Sequence, residues 1–337
     1  MNGQPGADGG VTVTVIGEAV VDLLPAGPGT QPLTFQAVPG GSPYNVAVGL
    51  ARLGHRATLM ARLADTAFGR ILSDHARAEG IDLRAAPRAA EPSTLAVVSL
   101  DASGRASYDF YFDGTADWQW TAEEIGRAPR DTAVLHFGSI ASWTPPGSDR
   151  IGGLARSMRD RGDVLVTYDP NVRPGLLGDH RRGQRAVERA IGLAHLVKAS
   201  TDDVAWLYPE LAVREVAERW LGLGATVVVI TGGADGAWAF SAFGVVHRPA
   251  LDVAVVDTVG AGDSFTAGLI ASLIGRNLHE PADLARFAAD RLSAELSLTL
   301  DDAIVVASLN CERRGNDPPT AADVAAARDR LKALPAG

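Results

Sequence analysis

Lysine is nearly missing from this 337-residue chain: Lys198 and Lys332 are the only two among 31 basic side chains. Neither follows a glycine-rich loop with Ser or Thr after it, which excludes the Walker-type phosphate loop, so any nucleotide has to be held by other means. Cysteine is scarcer still. Cys311 stands alone, so neither an intrachain disulfide nor a cysteine metal cluster can form, and a reducing compartment fits. No apolar run approaches the length of a bilayer span. The opening residues Met1 to Gly10 lack the charged and apolar regions of a signal peptide, so a cytoplasmic location is expected. A basic surplus is also absent. The formal charge is −9 and the pI near 5.3, which argues against nucleic acid or an anionic membrane as partner and leaves small molecules.

What is present is ordinary for a soluble globular protein: 46% hydrophobic and 21% charged residues, enough for one large α/β domain or two smaller ones. Residues 1–10 are glycine-rich and expected to be disordered, with the fold beginning near Val11. Val11 to Gly17 is a β-branched run of strand type. Further buried strands are expected at Ala57 to Met60, Ala133 to Phe137, Val164 to Tyr168, His195 to Lys198 and Thr226 to Thr231. Helical patterns at Val46 to Leu53, Arg150 to Arg161 and Val213 to Leu221 alternate with them, which indicates a parallel sheet covered by helices on both faces.

Two stretches break the alternation. Pro32 to Val38 and Thr94 to Phe112 are strand-like without intervening helices, the second holding the turn signal Asp101-Ala102-Ser103-Gly104. They read as antiparallel strands of a small sheet over the carboxyl edge of the main one, where open α/β folds place ligands. With no repeat and no long linker, residues 11–337 are expected to form a single domain with lid strands from about 30–38 and 94–113. The tail from Thr320 to Leu334 reads as a surface helix with Val324, Ala327 and Leu331 on one face.

The most informative segment runs from Asp257 to Gly268. Phe265, Leu269 and Leu273 recur at helical spacing after Asp263, so Gly260, Ala261 and Gly262 lie in the turn that opens a helix. Unpaired backbone N–H groups and the positive end of the helix dipole suit a phosphate there. Asp263 is then either a helix cap, the commoner use of an isolated Gly-x-Gly-Asp, or a general base for an alcohol that attacks the phosphoryl group. A second glycine cluster, Gly40 to Gly54, also runs from a turn into an amphipathic helix. Either it is a tight loop with Asn45 bonding nearby backbone, or Gly40 and Gly41 let a polyol lie against the main chain while Asn45 binds its hydroxyls. Asp22, just past the first strand, is either a solvated loop charge or an acceptor for a sugar.

In this order the motifs resemble the ribokinase-like (PfkB) family of sugar kinases, from Val11 to Pro319, with the fructokinase-like branch nearest. Gly40 to Gly54 matches the amino-terminal signature and Asp257 to Gly268 the carboxy-terminal one. The resemblance implies a three-layer α/β/α fold with a mostly parallel central sheet and a small β-strand lid. It implies transfer of the γ-phosphoryl of ATP, with Mg²⁺, to a terminal hydroxyl of a small sugar, D-fructose first. Ribokinase, 2-keto-3-deoxygluconate kinase and nucleoside kinase activities, or a non-catalytic sugar- or nucleotide-binding protein, are the alternatives.

Residue by residue, the resemblance makes Asp263 the general base and Gly260, Ala261 and Gly262 the anion hole. It puts Asp22, Gly40, Gly41 and Asn45 on sugar-binding positions. Tyr168 to Arg173 matches the Asp-Pro-Asn-x-Arg pattern, with Arg173 meeting a phosphate or acidic group. Ser200, Thr231, Gly233, Gly236 and Asn310 fall on the nucleotide side. Asp257 and the Val259 carbonyl fall on positions that hold an activating monovalent cation, so K⁺ is a further expected ion. Lid edges that pair between subunits imply a homodimer.

Some positions depart from the pattern. The family's Asn-x-x-Glu is Ser200-Thr201-Asp202-Asp203, which leaves Asp203 as the expected Mg²⁺ contact with a shorter side chain. Ala64-Asp65-Thr66 replaces a Gly-Asp-Asp turn. Asp113 stands where many fructokinase-like members carry Arg, which disfavours an anionic sugar, and Pro319 replaces a serine at the cation site. Cys311 is expected to be a small buried side chain, and His136 and His195 to be core or strand-end histidines.

Overall fold

In the computed structural model the backbone is described for residues 10–26, 34–100, 106–290 and 292–333. Its strands in chain order are β1 (Thr12–Ile16), β2 (Val20–Pro25), β3 (Phe35–Gly40), β4 (Arg56–Met60), β5 (Leu63–Ala64), β6 (Arg88–Ala89), β7 (Leu95–Leu100) and β8 (Ala106–Tyr111). They continue with β9 (Thr132–Gly138), β10 (Leu165–Asp169), β11 (Leu196–Ser200), β12 (Val227–Thr231), β13 (Ala237–Ser241) and β14 (Gly244–Arg248). Each strand expected from a buried apolar run is there, with ends moved by one or two residues.

The main sheet has eight strands in the order β14-β13-β12-β11-β10-β9-β1-β4. From β12 to β4 every pairing is parallel, whereas β13 and β14 add an antiparallel hairpin at one edge. Parallel strands need both faces covered, which is why β12, Val227 to Thr231, reads as a nearly continuous apolar run. Val13, Val15, Leu59, Val134, Leu196 and Val229 pack in one core layer with residues of the helices Ser42–Arg52, Ala261–Gly275 and Leu292–Cys311. Leu135, Phe137, Val166, Tyr168, Val197 and Ile230 pack in the other with Ile151, Val187 and Trp220 of the helices Gly147–Arg161, His180–Ile191 and Val213–Gly222. Each such side chain taken fully out of water stabilises the fold by about 1.5–3 kcal/mol before entropy is counted, so the layers define the fold.

The second sheet has four strands in the order β3-β2-β7-β8. β3 and β2, and β7 and β8, pair antiparallel as expected, but β2 and β7 run parallel. β2 itself is a correction to the sequence reading: Asp22 sits on a strand opposite Val38, not in a solvated loop. The turn at 101–104 and the lid residues 30–33 lie outside the described residues, as do 1–9. The tail helix spans Ala321–Ala333, with Val324 and Ala327 buried; the Leu331 side chain lies outside the described residues. His136 and His195 are buried in the core, and Cys311 is half-buried. Among the described residues no helix is long and apolar enough to cross a membrane.

Candidate active site

Asp169 at the end of β10 and Lys198 on β11 lie beside the first turns of the helix Ala261–Gly275. Gly260 is its N-cap residue in the left-handed region at φ 75°, a conformation glycine adopts without a Cβ penalty; a Cβ there would also run into the Asn316 side chain. No side chain caps this helix, so Asp263, at its third position, is not the cap that its motif alone suggests. The Ala261 N–H donates to the Thr258 carbonyl at 3.2 Å. The amides of Gly262 and Asp263 are left as helix-start donors, and such donors with the dipole behind them receive an anion. Gly262 is exposed.

The carboxylate of Asp263 instead crosses to the other signature. Ser42 Oγ donates to its Oδ1 at 2.6 Å and Asn45 Nδ2 to its Oδ2 at 2.8 Å. Both donors belong to the helix Ser42–Arg52, which starts directly after Gly41, held at φ 100°. A Cβ on Gly41 would lie 2.8 Å from the Glu18 carbonyl, and one on Gly40 would clash with the Asp22 carboxylate. The two glycines therefore let β2 and the helix approach. Burial raises the Asp263 pKa above the ordinary carboxylate range, opposed by its Ser42 and Asn45 hydrogen bonds, with the Asp169 charge adding to the rise and Lys198 opposing it. Burial likewise pushes Asp22 up to about 6, and the charge of Arg173 opposes the rise while that of Asp263 adds to it. The charges of Arg173 and Asp263 thus both reach Asp22, which places the three in one electrostatic neighbourhood.

On the expected nucleotide side the picture is mixed. Thr231 Oγ1 donates to the Ala199 carbonyl at 3.3 Å. Gly233 is exposed with open space about it, whereas a Cβ on Gly236 would collide with the backbone of the strand end at Arg248 to Ala250; Gly236 shapes the hairpin. Ser200 and Asp203 form a capping box at the start of the helix Thr201–Leu207. Asp203 Oδ2 accepts from Ser200 N and Oγ, both at 2.7 Å, and Oδ1 accepts from Val172 N at 2.7 Å. With both oxygens bonded to protein donors, Asp203 orders the loop that follows β10. Among the described residues no three His, Cys, Asp or Glu side chains are grouped to hold a metal.

The monovalent-cation positions give a similar result. Asp257 Oδ1 accepts from Val259 N at 3.0 Å and Oδ2 from Gly315 N at 2.9 Å. The Val259 carbonyl accepts from Asn310 Nδ2 at 2.8 Å, and Asn310 Oδ1 accepts from Asp317 N at 3.1 Å. Asn310 is fully buried. It works as a clamp on the turn before Gly260.

Other residues around this group carry no motif signal. Ser42 falls inside the Gly40 to Gly54 cluster with no signal of its own. Glu18 is buried, takes the Ala141 N–H at 3.0 Å, and is pushed up to about 7 by burial. Asp117, also buried, accepts from Ala19 N at 2.8 Å and Thr94 Oγ1 at 2.5 Å, tying the start of β7 to the start of β2. Lys198, whose position in a strand suggested nothing, is buried with Asp169. A charged residue within an apolar strand run is the one signal that could have pointed to it, because burying a charge demands a partner.

An anion-receiving helix start facing an oriented carboxylate, under a small sheet that supplies Asp22, defines the class of α/β small-molecule kinases. The sequence profile described as pfkB family carbohydrate kinase matches residues 12–320. The chain is 35% identical over 262 residues to a fructokinase of Rhizobium leguminosarum bv. trifolii, covering 78% of this chain and 79% of that one. It superposes with a TM-score of 0.86 on an ATP-bound fructokinase of Xylella fastidiosa, at 25% identity over 95% of this chain and 99% of that one. A fructokinase of Vibrio cholerae O395 with fructose, ADP and calcium ion gives 0.79, at 28% identity over 94% and 99%. The chain belongs to the pfkB family of carbohydrate kinases and is a sugar kinase.

Proposed function

We propose that this kinase transfers the γ-phosphoryl group of ATP to a terminal hydroxyl of D-fructose. The observation that carries the reading is the Asp263 carboxylate, aimed by Ser42 and Asn45 beside the helix start at Gly260. A new P–O bond forms from the sugar oxygen as the bond from phosphorus to the β,γ-bridging oxygen breaks, its electron pair leaving on ADP, and the hydroxyl proton passes to Asp263. A loose transition state needs alignment and dispersed positive charge more than a strong base, so the backbone amides of Gly262 and Asp263 carry most of the stabilisation. Mg²⁺ would neutralise phosphate charge, held by phosphate oxygens and water rather than by a cage of protein carboxylates. Asp22, Gly40, Gly41 and Asn45 would bind the sugar. Arg173 would steer the anionic nucleotide end, and the exposed Gly233 would border the phosphates.

Residues 11–337 are read as one domain, with the four-stranded sheet as a lid that limits water at the reacting phosphoryl. Its outer strands β3 and β8 carry Phe35 at 40% and Tyr111 at 63% exposure, which supports edge pairing between two copies; the mass in solution tests this.

ADP release with MgATP across D-fructose, D-ribose, 2-keto-3-deoxygluconate and adenosine tests the assignment. Fructose is expected to give the highest kcat/KM. Preference for another acceptor replaces the fructose reading, and ATP binding without ADP release on any of them favours a non-catalytic binding protein.

A further inference from the structure

Lys198 is 4% exposed and Asp169 2%, and the ammonium donates to Asp169 Oδ2 at 2.9 Å. Thr266, from the first turns of the helix Ala261–Gly275, donates to the same oxygen at 3.3 Å. The ammonium also lies directly beneath the anion-receiving turn, since a Cβ added to Gly262 would stand 3.1 Å from Lys198 Nζ. Charges felt in this neighbourhood come from Asp22 on β2, Asp169 on β10, Asp203 on the helix after β11, Asp263 itself, Arg173 and Lys198. Arg173 is exposed and acts from the side of Asp22. Lys198 is the cation that reaches the helix start from inside the protein.

A buried ion pair is a poor device for stability alone, because apolar residues of similar volume often do as well, while loss of one partner is strongly destabilising. A cation fixed beneath backbone donors in a low-dielectric site, by contrast, stabilises charge that develops during reaction at no cost of reorganisation. The geometry points to Lys198 as a positioning residue that adds a fixed positive charge beneath Gly262 and so holds the phosphoryl group being transferred. Asp169 and Thr266 keep the ammonium in place. This rests on the kinase reading and adds a part that no motif marks.

Two experiments test it. Lys198→Met should lose about 100-fold in kcat, the scale for removing one preorganised charge-stabilising donor, and should melt earlier because Asp169 is left unpaired. The double variant Lys198→Met/Asp169→Asn should regain the melting temperature while kcat stays low. Recovery of kcat together with stability would reduce the pair to a structural one and overturn the proposal. The second experiment needs no turnover. With only Lys198 and Lys332 to label, ¹⁵N-lysine protein carries two ammonium signals. The one lost in Lys198→Met, or else the one protected from exchange, should shift on saturation with MgAMP-PNP and stay in place with MgADP. An equal response to both nucleotides, or to neither, overturns the proposal even if the preferred sugar proves not to be fructose.

Discussion

Asn45 donates its side-chain amide to Asp263 Oδ2 at 2.8 Å across 218 positions of chain, joining the two glycine-rich signatures in one hydrogen bond. With Ser42 on the other oxygen, the carboxylate has a set direction and cannot cap its own helix. Asp263→Asn should therefore lower turnover by about 10³-fold, within the range for a lost general base, with a melting curve close to the parent's. Near-parent turnover in a coupled ADP assay would refute the base role.

The acid side of the pH profile follows from burial. Burial raises the Asp263 pKa, and only the ionised form accepts a proton, so kcat/KM should fall as pH drops, beginning above the ordinary carboxylate value of about 4. Asp22, at about 6, contributes to the same limb in the free enzyme. A flat profile down to pH 4 would contradict both assignments.

Gly40→Ala should raise KM for the sugar at least about tenfold, as expected when about 1.4 kcal/mol of binding is lost, and leave KM for ATP within twofold. The added Cβ would strike the Asp22 carboxylate, which is proposed to bind the sugar. Steady-state kinetics with each substrate varied in turn separates the two.

Glu18 sets a stability term of definite sign. Burial pushes its pKa up to about 7 in the fold, against 4.5 for an ordinary glutamate carboxyl. Between those values the folded chain keeps a proton that the unfolded chain releases, so this group's contribution is full at low pH and is lost as pH rises through 7. Glu18→Gln cannot ionise and still accepts the Ala141 N–H. Relative to the parent it should gain with rising pH, by up to about 3 kcal/mol at pH 8. Denaturant unfolding at pH 5 and pH 8 reads the difference, and equal shifts at both values would sink the assignment.

Potassium should matter little. Since Asn310 clamps the Val259 carbonyl and both Asp257 oxygens receive backbone N–H groups, the turn before Gly260 is ordered by the protein. Exchanging K⁺ for tetramethylammonium should change kcat by less than about twofold, whereas losing a buried hydrogen bond at Asn310 costs about 1–3 kcal/mol of order in that turn. Asn310→Ala should thus lower kcat and gain thermal stabilisation from K⁺ that the parent lacks. Strong activation of the parent by K⁺ would show that the cation displaces the clamp.

Some of this was legible early. Apolar β-branched runs such as Val227–Thr231 and the Phe265, Leu269, Leu273 repeat place strands and a helix because period and propensity are local properties. Gly41 and Gly260 announce turns because positive φ is a local demand that glycine meets best. β2 went unread because its outer half carries mixed side chains on a partly exposed lid, so no alternation marks it. That Asp203 also holds the Ser200 hydroxyl and the Val172 amide could not be read in advance, because the Val172 bond joins segments 31 residues apart.

The sequence by itself determined the α/β alternation, the two glycine turns and the carboxylate that follows the second, since each depends on neighbours a few residues away. Only the tertiary structure decided that Ser42 and Asn45 hold Asp263, that Asn310 closes the turn at Val259, and that Lys198 ends beneath Gly262. Those meetings depend on strand order and on how the helices Ser42–Arg52 and Ala261–Gly275 pack over the sheet. A charge in a strand run carries no label for the partner it will find until the sheet is assembled and water is excluded around it.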